Sequence, residues 1–498
     1  MPIDKIPESK HIRRDMKTET LTAEQAKALD LTEGVIVAGA GAGKTRTLVA
    51  KIIHDQQTID PSEQIVVTFT NAAADEIMSR LDSSGARKPG HVGTLHSLAL
   101  RRVMAAWGGP LRVLDDKGYD QLIRETAKRS RMTQPVSTIR GWVMDPPRAG
   151  NGRLLVNGII AGMRANRIIH ADAMLSVFRD LLVARPMTQN VRVYVDEAQD
   201  SSPLDAAIYT AMTRSGQNRG SLIMFGDPRQ SIYGFRGADP AIFIRALHGF
   251  ETVELTANFR SSRPIIDTAN RIAALMDLPI QPMTSGAGDI PGDVRARSPL
   301  SVAVGFSSTE AEVMDVRDQI RESTGSFAVL TRYNAVANVA AAMLRAEGFT
   351  VQQPGREQPS DPSIARVREL TELPKDWKSA LAYLSVPFEL QNRLLPALQR
   401  VTDALEIGPA IDEALGRPAN PEKTVWVSTI HGAKGLEWDN VRIIAADDLS
   451  LCPEDAEDVR LAYVAVTRAR RALAFSFARN RAGDRRTDGL NASRILHA

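Results

Sequence analysis

Short apolar runs separated by helix-like patterns dominate the first half of the chain. Buried strands are predicted at residues 35–37, 65–70, 191–195 and 222–225, and a further strand end at 92–94. Helical periodicity follows several of these strands, for example at 72–81. Strands that alternate with helices are typical of right-handed βαβ units. We therefore expect a parallel sheet with helices on its faces.

The same alternation starts again in the second half. Strands are predicted at 302–306, 327–331, 424–429 and 441–445. Helices are predicted at 309–322, 335–347 and 457–471. The stretch 283–299 is rich in Gly and Pro and is predicted to be loop. These patterns predict a second α/β sheet.

Two stretches interrupt the sheet patterns. Residues 104–189 show long helical patterns broken at Gly and Pro, and residues 353–422 are rich in Pro and charge. We interpret each as an insertion. The expected division is a flexible tail at 1–20, a first sheet domain at 21–103 and 190–257 with the helical insertion 104–189, and a second sheet domain at 258–352 and 423–498 with the short insertion 353–422.

Composition narrows the class of protein. The 498 residues are 43% hydrophobic and 24% charged, as in an ordinary globular protein, and the net charge of +3 does not by itself indicate nucleic-acid binding. Cys452 is the single cysteine, which excludes intramolecular disulfides and thiolate-rich metal sites. The chain has no apolar run of 18 residues and its first 17 residues contain no signal-peptide pattern. We expect no membrane association and a cytoplasmic location.

A phosphate-binding loop follows the first strand. Its residues are Gly39, Ala40, Gly41, Ala42, Gly43, Lys44 and Thr45. A glycine-rich loop between a strand and a helix turns its backbone N–H groups toward a triphosphate. We expect Lys44 to bind the β- and γ-phosphates of ATP and Thr45 to offer its hydroxyl to Mg²⁺. The usual motif has Gly at position 38, where this chain has Ala38.

Two adjacent carboxylates follow the strand at 191–195. They are Asp196 and Glu197. In a nucleotide hydrolase Asp196 would hold Mg²⁺ and Glu197 would orient and deprotonate the attacking water. Acidic pairs after strands are also common as helix caps, and it is the combination with Lys44 that favours catalysis.

Other polar and aromatic residues follow the predicted strands. Asn71 and His96 lie where a parallel sheet binds ligands, although ordinary loop capping also explains them. The strand at 222–225 leads to Gln230, and then to Tyr233, Phe235 and Arg236, which offer a cation and stacking faces for bases. Considered alone, these three residues are better explained as a packed aromatic turn. The amide of Gln25 suits an adenine edge, although, considered alone, Gln25 is better explained as an ordinary surface residue.

The ordered set of motifs resembles superfamily 1 DNA helicases of the UvrD/Rep/PcrA group, in which Ala is common at position 38. The motifs are Gln25, the phosphate loop, TFTNAAA at 68–74, GTLHS at 93–97, VDEAQD at 195–200, GDPRQSIYGFRGAD at 226–239, NFRS at 258–261, TIHGAKGLE at 429–437 and RLAYVAVTRA at 460–469. The insertions do not visibly match. The 226–230 motif and Phe235, in place of the usual Trp, resemble the AddA/RecB branch.

The resemblance implies two RecA-like P-loop NTPase domains, each a parallel sheet flanked by helices, with ATP in the cleft between them. Gln25, Arg46 and Phe259 would contact adenine, and Glu437 the ribose. Gln230 would sense the γ-phosphate, and Arg260 and Arg468 would act as arginine fingers. Single-stranded DNA would contact Phe69, Asn71, His96, Tyr233, Phe235, Arg236, Thr429 and His431.

Three functions follow from this resemblance. The first is a 3′→5′ single-stranded DNA translocase and helicase that acts at junctions of single- and double-stranded DNA. The second is a 5′→3′ or RNA-directed relative. The third is a DNA-stimulated ATPase that serves as the motor or sensor subunit of a larger complex, with a nuclease or a repair or defence protein as partner. The insertion 353–422 motivates the third, because it is far shorter than the duplex-engaging accessory domain of UvrD.

Overall fold

The computed structural model describes residues 21–147, 149–187, 190–214, 219–286, 290–296, 306–353, 367, 374, 376–383, 388–402, 407, 410 and 423–480. Contacts group the chain into two compact units. The first unit comprises Met1–Pro228 and Tyr233–Thr256, and the second comprises Arg229–Ile232 and Ala257–Ala498. The expected tail at 1–20 and most of the insertion 353–422 lie outside the described residues.

A parallel sheet forms the centre of the first unit. The described strands of this unit are β1 (Gly34–Ala38), β2 (Gln64–Thr68), β3 (His91–Thr94), β4 (Arg112–Val113), β5 (Ile168–Ile169), β6 (Arg192–Val195), β7 (Ser221–Gly226) and β8 (Thr252–Leu255). The strand order of the sheet is β3-β2-β6-β7-β1-β8. All five residues of β1 are buried, as expected for a strand covered on both faces.

Helices cover the sheet and form the insertion. They are α1 (Ala23–Asp30), α2 (Lys44–Asp55), α3 (Asn71–Ser83), α4 (Leu95–Trp107), α5 (Asp116–Arg129), α6 (Val136–Met144), α7 (Gly150–Ala165), α8 (Ala171–Ala184), α9 (Pro203–Arg214) and α10 (Pro240–Gly249). Short 3₁₀ helices lie at Pro61–Glu63, Ala198–Asp200, Pro228–Gln230 and Gly234–Arg236. Helices α5, α6 and α7 enclose a core of their own around Tyr119, Ile139 and Ile159.

A second parallel sheet forms the centre of the second unit. The described strands of this unit are β9 (Ala257–Asn258), β10 (Thr284–Ser285), β11 (Asp293–Ala296), β12 (Phe306–Ser308), β13 (Phe327–Thr331), β14 (Thr350–Gln352), β15 (Thr424–Thr429), β16 (Trp438–Ile443), β17 (Ala469–Phe475) and β18 (Ala478–Asn480). The strand order of the sheet is β11-β17-β16-β13-β15-β14. The helices are α11 (Arg263–Ala274), α12 (Thr309–Glu322), α13 (Asn334–Ala346), α14 (Trp377–Tyr383), α15 (Phe388–Leu398) and α16 (Ala456–Val466), with a 3₁₀ turn at Ala446–Asp448.

The prediction of α/β structure with two parallel sheets is confirmed. Two local predictions are wrong. The predicted loop 283–299 contains β11, which pairs with β17. The helix predicted at 457–471 ends at Val466, and its last residues belong to β17. Pairing of β17 with β11 on one side and β16 on the other overrides the local helical pattern. Of the strand predicted at 302–306, only Phe306 is described.

None of the described helices is long and apolar enough to cross a membrane.

A buried charged network ties α2 to the first sheet. The carboxylate of Asp55, 3% exposed, accepts from Lys51 Nζ at 2.6 Å and from the Tyr194 hydroxyl at 2.7 Å, and Arg192 lies 2.9 Å away. Burial lowers the pKa of Lys51, and the Asp55 carboxylate opposes that shift. The Asp55 carboxylate is therefore the shared ion-pair partner of two cations, Lys51 and Arg192, that have little access to water.

Asp55→Asn should lower the free energy of unfolding by about 3 kcal/mol, because the neutral amide no longer provides a counter-charge for Lys51 and Arg192. The measurement is urea denaturation followed by circular dichroism. Asp82→Asn is the matched control, since the Asp82 side chain is 54% exposed, and we expect a change below about 0.5 kcal/mol. Equal stability of the two variants would contradict the assigned role of Asp55.

Candidate functional site

The loop after β1 has the backbone geometry of a phosphate cradle. Gly41 and Gly43 adopt φ angles of 71° and 78°, which favour glycine. The Ala42 N–H donates to the Gly39 carbonyl at 3.0 Å and closes the turn. Helix α2 then begins at Lys44, so that its N-terminal N–H groups and positive dipole end face the loop. Thr45 is the second residue of this helix.

Gln25 connects α1 to the phosphate loop. Its Oε1 accepts from the Thr22 N–H at 3.1 Å and its Nε2 donates to the Ala42 carbonyl at 3.1 Å. The residue is 2% exposed. The structure thus places Gln25 beside the loop, as expected for a nucleotide-binding residue, and gives it a structural role there as well. Its contact with adenine stays a prediction, as does that of Arg46, which lies half-buried on α2.

Lys44 contacts both predicted carboxylates. Its Nζ lies 2.8 Å from Asp196 Oδ1 and is also ion-paired with Glu197. Burial disfavours the charge on Lys44, yet the two carboxylates outweigh it and hold the pKa of Lys44 above its usual value. The strands β1 and β6 therefore bring one ammonium and two carboxyl groups together, and burial raises the pKa of Asp196 above its usual value.

The backbone at Glu197 is held in an uncommon conformation. Its φ is 53°, in the left-handed region that non-glycine residues rarely adopt. Asp196 Oδ1 accepts from the Glu197 N–H at 3.0 Å, and the Glu197 carbonyl accepts from the Asp200 N–H at 2.9 Å. Gln199 Nε2 donates to Glu197 Oε2. These contacts fix the direction of the Glu197 carboxylate.

A second charged cluster lies in the second unit, at the amino ends of β16 and β17. Glu437 is ion-paired with Arg260 and with Arg470. Burial alone would raise the pKa of Glu437, but the nearby guanidinium groups, Arg260 first, lower it below its usual value. Asn258 Oδ1 accepts from the Arg260 N–H at 2.8 Å and orients that residue.

Arg468 and Gln230 are hydrogen-bonded to each other. Arg468 is 2% exposed, and its guanidinium donates to Gln230 Oε1 at 3.2 Å, to the Leu436 carbonyl at 3.1 Å and to the Val464 carbonyl at 3.0 Å. Lys434 Nζ donates to the Gln230 carbonyl at 2.8 Å. Gln230 is therefore held in the second unit by hydrogen bonds to both its side chain and its backbone.

An exposed group of aromatic rings and one cation lies in the first unit. We call Phe69, Tyr233, Phe235 and Arg236 the stacking cluster. The Phe69 and Tyr233 rings are stacked at 5.1 Å, and Phe235 meets Tyr233 edge-on at 6.0 Å. The Arg236 guanidinium lies over both Tyr233 and Phe235, at 5.2 and 5.6 Å. Phe235 is 65% exposed.

The remaining predicted DNA-binding residues lie at helix starts and strand ends. Asn71 and His96 are exposed in the first turns of α3 and α4, whose caps are Thr70 and Thr94. In the second unit Thr429 ends β15, and its Oγ1 accepts from the Gly432 N–H at 3.2 Å. Phe259, predicted to stack on adenine, follows β9 and is 42% exposed.

His431 lies half-buried in the loop after β15, 3.9 Å from Glu457. Burial, with Arg332 nearby, lowers its pKa. A neutral ring is therefore the form expected near pH 7.

Two family models match the sequence in consecutive segments. A UvrD/REP helicase N-terminal domain model matches residues 21–138 and 163–251, and a UvrD-like helicase C-terminal domain model matches residues 363–480. Together they cover more than half of the chain. The chain belongs to the UvrD-like helicase family. Its two parallel sheets are accordingly the RecA-like domains expected of a superfamily 1 helicase.

Several curated helicases are similar to this UvrD-like chain. UvrD2 of Mycobacterium tuberculosis is 26% identical over 545 aligned positions, covering 90% of this chain and 76% of UvrD2. PcrA of Leuconostoc citreum is 29% identical over 305 residues, covering 52% of this chain and 40% of PcrA. The Bacillus subtilis protein YjcD is 28% identical over 370 residues, covering 63% of this chain and 46% of YjcD. The chain thus spans about half or less of two of these relatives.

The family models extend into both insertions, in which no family motif is visible in the sequence. The N-terminal model covers 104–138 and 163–189, and the C-terminal model covers 363–422. Residues 139–162, which include most of α6 and α7, lie between the matched segments of the N-terminal model.

Sequence reasoning missed three residues of this UvrD-like site. They are Gln199, Lys434 and Arg470, which contact Glu197, Gln230 and Glu437 respectively. Gln199 and Lys434 lie inside the motifs that carry the family resemblance, and this position in the sequence could have identified them as site residues. Arg470 lies just outside these motifs. Because residues 457–471 are predicted to be helix, its position in strand β17 is not expected from the sequence.

Phe235→Ala should weaken binding of single-stranded DNA about 10-fold, since stacking one base on an aromatic ring contributes roughly 1–3 kcal/mol. The measurement is fluorescence anisotropy with a labelled oligothymidine. Phe250→Ala is the control, because Phe250 is also an exposed phenylalanine of the first unit but lies outside the stacking cluster. Equal affinities of the two variants would contradict the assignment of Phe235.

Proposed function

We propose that this protein is an ATP-dependent DNA helicase that steps 3′→5′ along single-stranded DNA. The observation that carries the proposal is the arrangement of the carboxyl edge of the first sheet. The phosphate loop follows β1, Asp196 and Glu197 follow β6, and the stacking cluster follows β2 and β7. The residues proposed to bind the nucleotide and those proposed to stack on bases thus share one edge of one sheet, where ligands bind in open parallel sheets.

Hydrolysis is assigned to the residues around Lys44. ATP binding would transfer the Lys44 ammonium from its carboxylate partners to the β- and γ-phosphates. Glu197, held by Gln199, would then accept a proton from the attacking water. The first unit therefore supplies both phosphate binding and general-base catalysis.

Thr45 and Asp196 suit Mg²⁺. Their hydroxyl and carboxylate are hard oxygen donors, and Mg²⁺ in such sites takes one or two protein ligands together with phosphate oxygens and water. Among the residues that the structure describes, no group of three or more His, Cys, Asp or Glu side chains forms a separate metal site. The ion, when bound with ATP, neutralises phosphate charge.

The charged cluster of the second unit is assigned to the same reaction. Gln230 would sense the γ-phosphate, and Arg260 and Arg468 would stabilise charge as the phosphate bond breaks. Both arginines now donate to protein acceptors, Glu437 and Gln230 among them. Their partners would change on nucleotide binding, and Glu437 would be left to hold the ribose, while Arg46, Gln25 and Phe259 contact adenine.

DNA binding is assigned to the stacking cluster together with Asn71, His96, Thr429 and His431. Stacking is tolerant of sequence because every base has a π face. The ligand is therefore single-stranded DNA of any sequence, including its junctions with duplex. The 3′→5′ direction rests on the family resemblance.

The experiment that tests the proposal measures ATP hydrolysis with and without oligothymidine, alongside unwinding of duplexes with a 3′ or a 5′ tail. We expect DNA to stimulate hydrolysis and only the 3′-tailed duplex to be unwound. Unwinding of the 5′-tailed duplex alone would overturn the direction. Stimulated hydrolysis without unwinding would favour the alternative, a motor or sensor subunit of a repair or defence complex that contains a nuclease.

Glu197→Gln should reduce DNA-stimulated hydrolysis at least 100-fold, because it removes the general base. Lys44→Ala should do the same through loss of phosphate binding. Steady-state hydrolysis is the measurement, and circular dichroism checks that both variants fold. The controls are Glu76→Gln and Lys88→Ala, which alter exposed residues of the same unit and should hydrolyse ATP normally. Normal turnover in Glu197→Gln or Lys44→Ala would refute the site.

A further inference from the structure

A cavity lies between α4 and α8 of the first unit, outside the residues assigned to ATP and DNA. Its lining includes the apolar side chains of Phe178, Leu181 and Leu182 and the charged side chains of Arg102 and Arg185. Positions 178, 181, 182 and 185 recur at the spacing of one helical face, and α8 packs on α4. The cavity therefore combines an apolar floor with two cations.

The size of the cavity limits what it can hold. Its volume is about 270 Å³. Pockets that enclose a whole small molecule measure roughly 300–1,000 Å³. This cavity therefore suits one or two side chains of a larger ligand better than a complete nucleotide. Because the floor is apolar, an aromatic or aliphatic side chain is the expected guest.

The two arginines of the cavity carry positive charge that is not balanced locally. Among the residues that the structure describes, no carboxylate forms an ion pair with Arg102 or Arg185. The neighbouring Arg101 donates instead to the Gly90 carbonyl, at 3.1 Å. Partial burial, and then the charge of Arg101, lower the pKa of Arg102. An anionic ligand would stabilise both guanidinium groups.

The cavity lies away from the sheet edge that is proposed to bind DNA. Helix α4 begins at the carboxyl end of β3 and runs back along the sheet, and α8 ends at Ala184, shortly before the amino end of β6. The stacking cluster follows β2 and β7 at the carboxyl edge. This location and the apolar floor favour a peptide over a nucleic-acid backbone.

The two ends of this chain do not have the complementary charge. Segments 1–20 and 481–498 each contain more Lys and Arg than Asp and Glu. A second cation-rich segment would be repelled by Arg102 and Arg185. The charge of the cavity instead fits an acidic segment of another protein.

We propose that the α4–α8 cavity docks an acidic peptide segment of a partner protein, one apolar side chain of which enters the cavity while its carboxylates pair with Arg102 and Arg185. Exposed ion pairs contribute little one at a time, so affinity must come from the buried side chain and the ion pairs together. The proposal does not depend on the proposed function, because neither arginine is assigned to ATP or to DNA.

The test uses the full chain and a fluorescein-labelled peptide, Asp-Glu-Phe-Leu-Asp-Glu, with fluorescence anisotropy as the measurement. Two matched peptides separate the contributions: Asn-Gln-Phe-Leu-Asn-Gln lacks the charges, and Asp-Glu-Ser-Ser-Asp-Glu lacks the apolar side chains. We expect saturable binding of the first peptide and at least 10-fold weaker binding of the other two. No saturable binding of the first peptide up to about 1 mM, or equal affinity for either matched peptide, would overturn the proposal.

The double substitution Arg102→Glu with Arg185→Glu tests the charge. It replaces attraction by repulsion and should weaken binding of the acidic peptide at least 10-fold. Arg164→Glu is the matched control, because Arg164 is an exposed arginine on α7 of the same unit, and it should bind the peptide as the wild type does. Circular dichroism checks the fold of each variant. Equal affinities of the double variant and the control would refute the role of the two arginines.

Ala106→Phe tests the cavity with both arginines left in place. Ala106 lines the cavity, so a phenylalanine there would fill it, whereas Ala105 is exposed on the same helix and Ala105→Phe serves as the control. We expect about 10-fold weaker peptide binding in Ala106→Phe alone. Wild-type affinity in Ala106→Phe would contradict insertion of a side chain.

Two further measurements exclude other occupants. Displacement of the peptide by oligothymidine would assign the cavity to DNA. Sedimentation velocity that shows a dimer of the wild type, and a monomer of the double arginine variant, would assign it to a second copy of this chain. Either result would overturn the proposal, and we expect neither.

Discussion

The contact of Lys44 with Asp196 and Glu197 is the interaction on which the first unit depends. Two carboxylates at the end of one strand carry a net negative charge that burial would otherwise disfavour. The Lys44 ammonium offsets part of this negative charge, and the two carboxylates hold the pKa of Lys44 above its usual value despite its burial. A polyphosphate competes for the same ammonium. On the proposed function, ATP binding would withdraw the Lys44 ammonium from the carboxylates, and Glu197, proposed as the general base, would be released when its substrate binds.

The charged cluster of the second unit has instead an excess of positive charge, which comes from guanidinium groups. Arg260 and Arg470 share one carboxylate, that of Glu437, and Arg468 is buried with acceptors that are mostly neutral oxygens. Neutral carbonyls satisfy the hydrogen-bond donors of a guanidinium but do not cancel its charge. Such a cluster is suited to an anionic ligand, and a hydrogen bond from Arg468 links that charge to Gln230, which is proposed to sense the γ-phosphate.

Much of this arrangement follows from the sequence. Strand 35–37, the glycines after it and the carboxylate pair after 191–195 are local patterns, and the structure confirms the elements that contain them. The errors arose where pairing over long distances decides the outcome. A helix is predicted at residues 469–471 because the local sequence pattern carries no information about their pairing with β11 and β16. The position of the Gln199 side chain depends on the missing side chain of Gly226, 27 positions away in the sequence, because a Cβ there would clash with Gln199 Oε1.

The two sheets place their charged residues and the residues proposed to bind DNA differently. In the first unit both groups lie at the carboxyl edge, where the Gln199 side chain contacts both Glu197 and the Asp227 N–H that follows β7. In the second unit Thr429 lies at the carboxyl end of β15, whereas Glu437 lies at the amino end of β16. Lys434, in the segment between them, donates to the Gln230 carbonyl. Because β15 and β16 both pair in parallel with β13, the residues proposed for nucleotide and for DNA in the second sheet lie at opposite ends of its strands, whereas those of the first sheet share one edge.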